Sequence, residues 1–202
     1  EPTQSERASI SRLDSRVSLQ SHPENIGLYR NFYSGINPAF AYTKFFAEDD
    51  YGPDGLTDQL VSAARPNDAL VLPRFARQEW HAGNFTGPIL PHSNTFRLPP
   101  NPEIDPSYIF GLWSTQFLIK YWPQKPYDWL DYSLVIRAGF EGRVRQTDFG
   151  PIVLGFSPNK LPHSVSGRSH SSLRASFVFV TMGARALASN PVKGSQMLRY
   201  GL

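Results

Sequence analysis

The sequence predicts an all-β domain, mainly an antiparallel, jelly-roll-like sandwich, with one or two short helices and an extended arm at each terminus. Three observations lead to this fold class. The 202 residues include 4 tryptophans, 9 tyrosines and 14 phenylalanines but no cysteine. The 18 prolines and 15 glycines divide the apolar sequence into short pieces. Several of these pieces alternate in polarity or are rich in aromatic and β-branched residues, as strands are.

Length and composition are sufficient for one folded domain without covalent cross-links. A chain of about 200 residues buries roughly 70% of its unfolded surface. The absence of cysteine excludes disulfides, a thiolate nucleophile and cysteine-ligated metals. The formal charge is +3, and the 15 arginines and 5 lysines are spread along the chain, so no basic run marks a nucleic-acid site.

The two ends differ from the centre. Residues 1–25 are rich in serine and charge and contain too few apolar side chains to offset the entropy of ordering. The last eleven residues, 192–202, have no partner element of their own. We therefore predict an N-terminal arm (1–25), a single β-rich domain (26–190) and a C-terminal arm (191–202). No apolar stretch reaches the roughly 20 residues of a membrane-spanning helix, so we predict no membrane span.

The first half of the domain is predicted to hold few regular elements. Residues 26–46 fit two short elements joined at a turn. An acidic loop leads into a helix over 56–64, because its apolar residues fall on one helical face. Residues 69–76 are predicted as a strand. Residues 80–106 are predicted to be mostly loop, because glycine and proline interrupt them repeatedly.

The second half is predicted to hold most of the strands. Residues 108–121 are aromatic and β-branched, residues 132–140 and 172–181 alternate in side-chain character, and residues 151–156 form a short apolar run. Each of these four segments is predicted as a strand. Residues 184–189 could form one helical turn before Asn190-Pro191.

Motifs for chemistry are absent from the sequence. None of the five histidines has a partner at metal-ligand spacing. There is no Gly-x-Ser-x-Gly elbow, no phosphate-binding loop and no Gly-x-Gly-x-x-Gly motif. The acidic residues between 48 and 58 could gather oxygen ligands for calcium, but they lack the spacing of an EF-hand, which favours a solvated loop. We predict no catalytic residue, no cofactor and no metal, and hence a protein that is not an enzyme.

Two short segments could make contacts at the surface. Trp122 and Trp129 flank a turn stiffened by two prolines, and their rings could stack on sugars, bases or a neighbouring subunit, or could fill the edge of the core. Asn84-Phe85-Thr86 matches an N-glycosylation acceptor, which matters only if the chain is secreted in a eukaryote.

Terminal arms beside a β-rich centre indicate a protein that assembles, because an extended segment can bind a neighbour at little cost in core volume. Among such proteins, the jelly-roll subunits of small icosahedral virus shells fit best, with the virion as location. We expect the partners to be further copies of the chain or related subunits. Arg12, Arg16 and Arg199 would contact neighbours or nucleic acid, and Trp122 and Trp129 would anchor interfaces.

The eight residues from Leu28 to Gly35 are similar to the aromatic, arginine and glycine stretch that precedes a strand in picorna-like capsid proteins. The similarity ends at Asn37-Pro38 and does not assign the chain to that family.

Two hypotheses of other classes stay open. The first is a peripheral accessory subunit of a large organelle complex of the mitochondrial type, which would also have arms and no active site. The second is a secreted carbohydrate-binding or hydrolytic β-sandwich, motivated by Trp122 and Trp129.

Overall fold

Two four-stranded sheets and several short helices form the folded part of the protein. The structure is a computed structural model that describes residues 22–24, 26–46, 50–81, 83–92, 96, 108–122 and 130–156, and the single positions 180, 184, 191, 192 and 195. The helices are α1 (Leu28–Ser34), α2 (Leu56–Ala63), α3 (Thr115–Tyr121) and α4 (Leu130–Phe140), and a 3₁₀ turn covers Tyr108–Phe110. The strands are β1 (Tyr42–Lys44), β2 (Asp50–Tyr51), β3 (Leu70–Leu72), β4 (Phe75–His81), β5 (Asn84–Pro91), β6 (Leu112–Ser114), β7 (Val144–Gln146) and β8 (Ile152–Phe156).

Both sheets are mixed. Sheet 1 has the order β1-β6-β3-β7, and sheet 2 has the order β2-β8-β4-β5. The pairs β3–β7 and β4–β8 are parallel, and the other pairs are antiparallel. The chain therefore passes from sheet 1 to sheet 2 twice in the same direction, once from β3 to β4 and once from β7 to β8.

Hydrogen bonds continue across these two crossings. The Arg74 N–H donates to the Phe149 carbonyl at 2.7 Å, and the Ile152 N–H donates to the Arg74 carbonyl at 2.8 Å. Between them the Thr147 N–H donates to the Leu72 carbonyl at 2.9 Å. The parallel pairing of sheet 1 is thus connected to that of sheet 2 without a gap in the ladder.

Sheet 1 is covered on both faces. Successive strand residues point to opposite faces, and three in a row on β3 and two in a row on β6 are buried: Leu70, Val71, Leu72, Leu112 and Trp113. The close approach of β6 to β3 depends on Gly111, because a Cβ atom there would lie 2.6 Å from Leu70 Cδ1. The core is therefore built around sheet 1.

The prediction of a strand over 132–140 is wrong, because this segment belongs to helix α4. Ser133, Leu134, Val135, Ile136 and Ala138 are all buried. Because residues 133–136 are buried in succession, this part of the helix shows no contrast between an apolar and a polar face, and its sequence does not reveal the helical period.

The prediction of one long strand over 108–121 is also wrong. The segment forms the 3₁₀ turn, β6 and α3 in succession. The strand ends at Ser114, whose Oγ accepts a hydrogen bond from the Phe117 N–H at 3.4 Å and so caps the first turn of α3.

Part of the segment predicted as loop over 80–106 is strand. β4 continues to His81, and β5 runs from Asn84 to Pro91. β5 is an edge strand of sheet 2 and pairs with β4 on one side only. A proline whose missing N–H would point to the unpaired side therefore breaks no hydrogen bond between strands. The pairing of β4 and β5 is irregular between Arg77 and Glu79, opposite Gly87-Pro88, as at a bulge.

Other sequence predictions are confirmed. The helix predicted over 56–64 is α2, and the strand predicted over 151–156 is β8. The strand predicted over 69–76 is present as β3 and the start of β4, with a break at Pro73-Arg74. The sheet content is as predicted, but the described helices are more numerous than the one or two expected.

Several predictions fall on other parts of the chain. The strand over 172–181 and the turn over 184–189 lie outside the described residues, except that Val180 and Ala184 are helical. The same holds for the two arms, apart from residues 22–24 and the helical positions 191, 192 and 195. In the described part of the chain, no helix has the length and apolar character needed to cross a membrane.

Candidate binding surfaces

Trp122 follows α3 and lies at the edge of the core. Its side chain is 7% exposed, and its ring lies 6.1 Å from that of Phe45 and 5.7 Å from that of Tyr33. The indole Nε1 is buried and has no acceptor among the described residues. Trp122 therefore fills the core edge, the second of the two roles considered for it, and its role as an interface anchor stays a prediction. The other predicted contact residues, Arg12, Arg16, Trp129 and Arg199, lie outside the described residues.

Three aromatic side chains in the segment that contains α1 and β1 are exposed. Tyr33 on α1 is 47% exposed, Phe40 is 64% exposed, and Phe46, just after β1, is 45% exposed. We call these three residues the β1 surface, because β1 is an edge strand of sheet 1. Beneath them Phe32 stacks on the buried Phe45 at 4.8 Å between ring centres. The Phe32–Phe45 stack therefore holds in place the segment that carries the three exposed rings.

Lys44 ends β1 and holds its ammonium group against the 3₁₀ turn. Its Nζ donates to the Phe110 carbonyl at 2.7 Å and lies 3.8 Å from the centre of the Phe46 ring. Burial lowers the pKa of Lys44 from 10.5 to about 8, against the opposing effect of the Asp50 carboxylate. The cation over the ring face favours one position for Phe46 on the β1 surface.

A second group of aromatic side chains lies on sheet 2. The Tyr51 and Phe85 rings are 4.7 Å apart with planes at 74°, and Trp80 meets Phe85 at 4.7 Å and 63°. The Tyr51 hydroxyl donates to Gln78 Oε1, and Gln78 Nε2 donates to the Gly87 carbonyl, both at 2.9 Å. We call Tyr51, Gln78, Trp80 and Phe85 the sheet 2 corner.

The strand order explains how Tyr51 reaches this position. Tyr51 is on β2, and β8 separates it from β4. The residue of β8 that pairs with Gln78 is Gly155, which has no side chain to stand between the tyrosine and the glutamine. Trp80 and Phe85 are direct partners across the β4–β5 hairpin.

Sequence reasoning missed the sheet 2 corner because its residues are far apart in the chain and two of them fell in a segment predicted as loop. One signal was present in the sequence. Trp80 and Phe85 stand symmetrically about Ala82-Gly83, which is a two-residue connection containing glycine, as in a β-hairpin.

An ion pair fixes the loop between α2 and β3. The Asp68 carboxylate accepts hydrogen bonds from Arg145 Nε at 2.5 Å and Nη2 at 3.2 Å, and from the Arg65 N–H at 2.9 Å. Arg145 is on β7, so the pair joins the loop to an edge strand of sheet 1. These hydrogen bonds hold the loop against sheet 1.

Two further sequence predictions concern single groups. Asn84 and Thr86 are both exposed on β5, so the predicted glycosylation acceptor is accessible. The described residues contain no cluster of three acidic or histidine side chains able to hold a metal ion. Glu79 and His81 form an isolated contact at 3.6 Å.

Compared with known proteins, the chain matches no family model, no curated protein and no solved structure.

Proposed function

We propose that this protein is a structural building block that binds further copies of itself or related subunits, as in a virus shell. The β1 surface is the observation that carries this proposal. Three large aromatic side chains are exposed between positions 33 and 46, in the segment that contains α1 and the edge strand β1. Aromatic residues are enriched at interfaces, where burying them removes a large apolar area from water.

The rigidity of the β1 surface supports the same proposal. The Phe32–Phe45 stack and the Lys44–Phe46 contact hold the exposed segment in place. A surface that is already ordered loses little entropy when a partner binds. The surface is also next to the start of the domain, so a preceding arm would leave the core beside it.

The finer architecture is part of the proposal. A jelly roll places eight strands in two sheets, and the described chain has two sheets of four strands. The parallel pairs β3–β7 and β4–β8 depart from the antiparallel order of that fold. We therefore propose a sandwich related to the jelly roll, with arms in which Arg12, Arg16 and Arg199 contact neighbours or nucleic acid, and with the virion as location.

The test is the mass of the purified full chain in solution, measured by sedimentation and light scattering, with electron microscopy of the particles. We expect assemblies of many copies. The double variant Tyr33→Ser/Phe40→Ser should shift the mass toward the monomer. The matched control is Val61→Ser, which changes an exposed apolar side chain on α2 and should leave assembly unchanged.

Two outcomes would contradict the proposal. One is a wild-type chain that stays monomeric up to high concentration. The other is a native mass that corresponds to one copy among many different proteins, as the accessory-subunit hypothesis expects.

A further inference from the structure

The sheet 2 corner combines aromatic surface with a fixed polar group. The planes of Tyr51 and Phe85 stand at 74° to each other, so the two rings form a corner with Trp80 behind Phe85. Tyr51 is 38% exposed even though its hydroxyl is held by Gln78. The exposed part of the residue therefore includes ring surface, in a fixed position.

The Gln78 amide is oriented by two hydrogen bonds, and the described residues leave part of its hydrogen-bonding capacity unused. A side-chain amide has two N–H donors and a carbonyl with two lone pairs. One N–H donates to the Gly87 carbonyl, and the oxygen accepts from the Tyr51 hydroxyl. No described residue uses the second N–H or the second lone pair of this amide, which lies beside the exposed tyrosine.

The charges of the hairpin lie away from the corner. Glu79 and His81 alternate with Gln78 and Trp80 along β4, so they face the opposite side of the sheet, where they contact each other. Arg77 alternates in the same way and pairs with Leu90. β5 has no charged residue. Among the described residues of β4 and β5, none therefore presents a cation on the face of the corner.

We infer that the sheet 2 corner is a binding site for a neutral saccharide. The C–H face of a sugar ring would stack on Tyr51 against Phe85, and two neighbouring hydroxyls would use the free donor and the free acceptor of Gln78. Binding sites for small ligands commonly combine apolar and aromatic walls with a few fixed polar groups. This function is separate from assembly through the β1 surface.

The experiment screens the full-length protein against neutral gluco-, galacto- and manno-configured oligosaccharides, and measures the affinity of those that bind by calorimetry. Tyr51→Phe keeps the ring and removes the hydroxyl that orients Gln78, so affinity should fall about 3–10-fold, the value of one hydrogen bond. Gln78→Ala should weaken binding by at least as much. Tyr33→Ala, on the β1 surface, is the control and should leave the affinity unchanged.

The conservative Tyr51→Phe variant keeps the test valid if larger changes impair folding, which circular dichroism would reveal. The inference is overturned if the wild-type protein binds no neutral saccharide at millimolar concentration. It is also overturned if binding survives both the Tyr51→Phe and Gln78→Ala changes unaltered, or if acidic saccharides bind in preference. Assembly is tested with variants of the β1 surface and saccharide binding with variants of the sheet 2 corner. A negative result for saccharide binding therefore does not contradict the proposed building-block function.

Discussion

The position of Lys44 in the fold changes the pKa of its amine. Its side chain ends an edge strand, yet its ammonium group is enclosed by the Phe110 carbonyl and the Phe46 ring. Desolvation lowers the pKa of this amine to about 8, and Asp50 opposes part of the effect. The sequence around Lys44 holds no sign of this burial, because the groups that enclose it include a carbonyl far along the chain.

The lowered pKa predicts a specific dependence of stability on pH. The unfolded chain holds the proton up to its pKa of 10.5, whereas the folded chain releases it near pH 8. Between these values the unfolded state binds more protons, so the contribution of Lys44 to the free energy of unfolding rises with pH. Below pH 8 the cost of burying the charged amine is fully present.

The measurement is denaturant unfolding of the wild type and Lys44→Met at pH 7 and pH 9.5. The wild type should gain stability relative to Lys44→Met on going to the higher pH. Lys44→Arg, which stays charged throughout, should show no such gain. An equal difference between the wild type and Lys44→Met at both pH values would contradict the assigned pKa.

At the scale of elements, the sequence identifies a helix with one exposed face, α2, and fails for α4, in which residues 133–136 are all buried. α2 is predicted correctly because Leu56 and Leu60 are buried while the residues between them are exposed. α4 has no such contrast, and its chance alternation resembles a strand. The edge strand β5 contains Gly87 and Pro88, which the sequence reading treats as breaks and the sheet accommodates at a bulge.

The candidate surfaces were predictable only in part. The sequence singles out Trp122, and the structure buries its ring against Phe45 and Tyr33 at the end of α3. The exposed neighbours that form the β1 surface are ordinary aromatic residues in the sequence. Tyr51 and Gln78 meet only because β2 and β4 belong to one sheet. No local sequence pattern predicts that strands so far apart in the chain join the same sheet.

The loop between α2 and β3 should depend strongly on Asp68. Its carboxylate is largely buried and accepts three hydrogen bonds, two of them from Arg145. Asp68→Ala leaves the Arg145 guanidinium and the Arg65 N–H without this partner. We expect a loss of about 2–3 kcal/mol in the free energy of unfolding.

Urea unfolding would measure this loss against a matched control. Glu141 forms a more exposed ion pair with Arg143 at 3.4 Å, and pairs of that kind contribute about 0–1 kcal/mol. Glu141→Ala should therefore cost clearly less than Asp68→Ala. Equal losses for the two variants would show that the hydrogen bonds of Asp68 do not hold the loop.

At the scale of the whole molecule, the two sheets can unfold together only if the hydrogen bonds at the crossings between them stay intact. Both crossings run in parallel, and the hydrogen bonds between Leu72, Arg74, Thr147, Phe149 and Ile152 connect the ladder of sheet 1 with that of sheet 2. Opening one sheet would remove partners from the other. The described part of the chain should therefore unfold in a single cooperative step.

Gly150 is the position at which this coupling can be tested. Its φ of 103° is unfavourable for any residue with a side chain, and a Cβ atom would lie 3.0 Å from the Arg74 carbonyl oxygen. Gly150→Ala should lower stability by about 1–3 kcal/mol. Because the damage is at the crossing, sheet 2 should open more easily than sheet 1.

Amide hydrogen exchange of β3 and β8 measures the opening of the two sheets separately. In the wild type the slowest amides of both strands should report the same free energy of opening, and in Gly150→Ala the value for β8 should fall below that for β3. Gly142→Ala is the control, because Gly142 also has a positive φ of 67° but a Cβ atom there would meet nothing within 4 Å. It should weaken both strands equally. Different opening energies for β3 and β8 in the wild type would mean that the crossings do not couple the sheets.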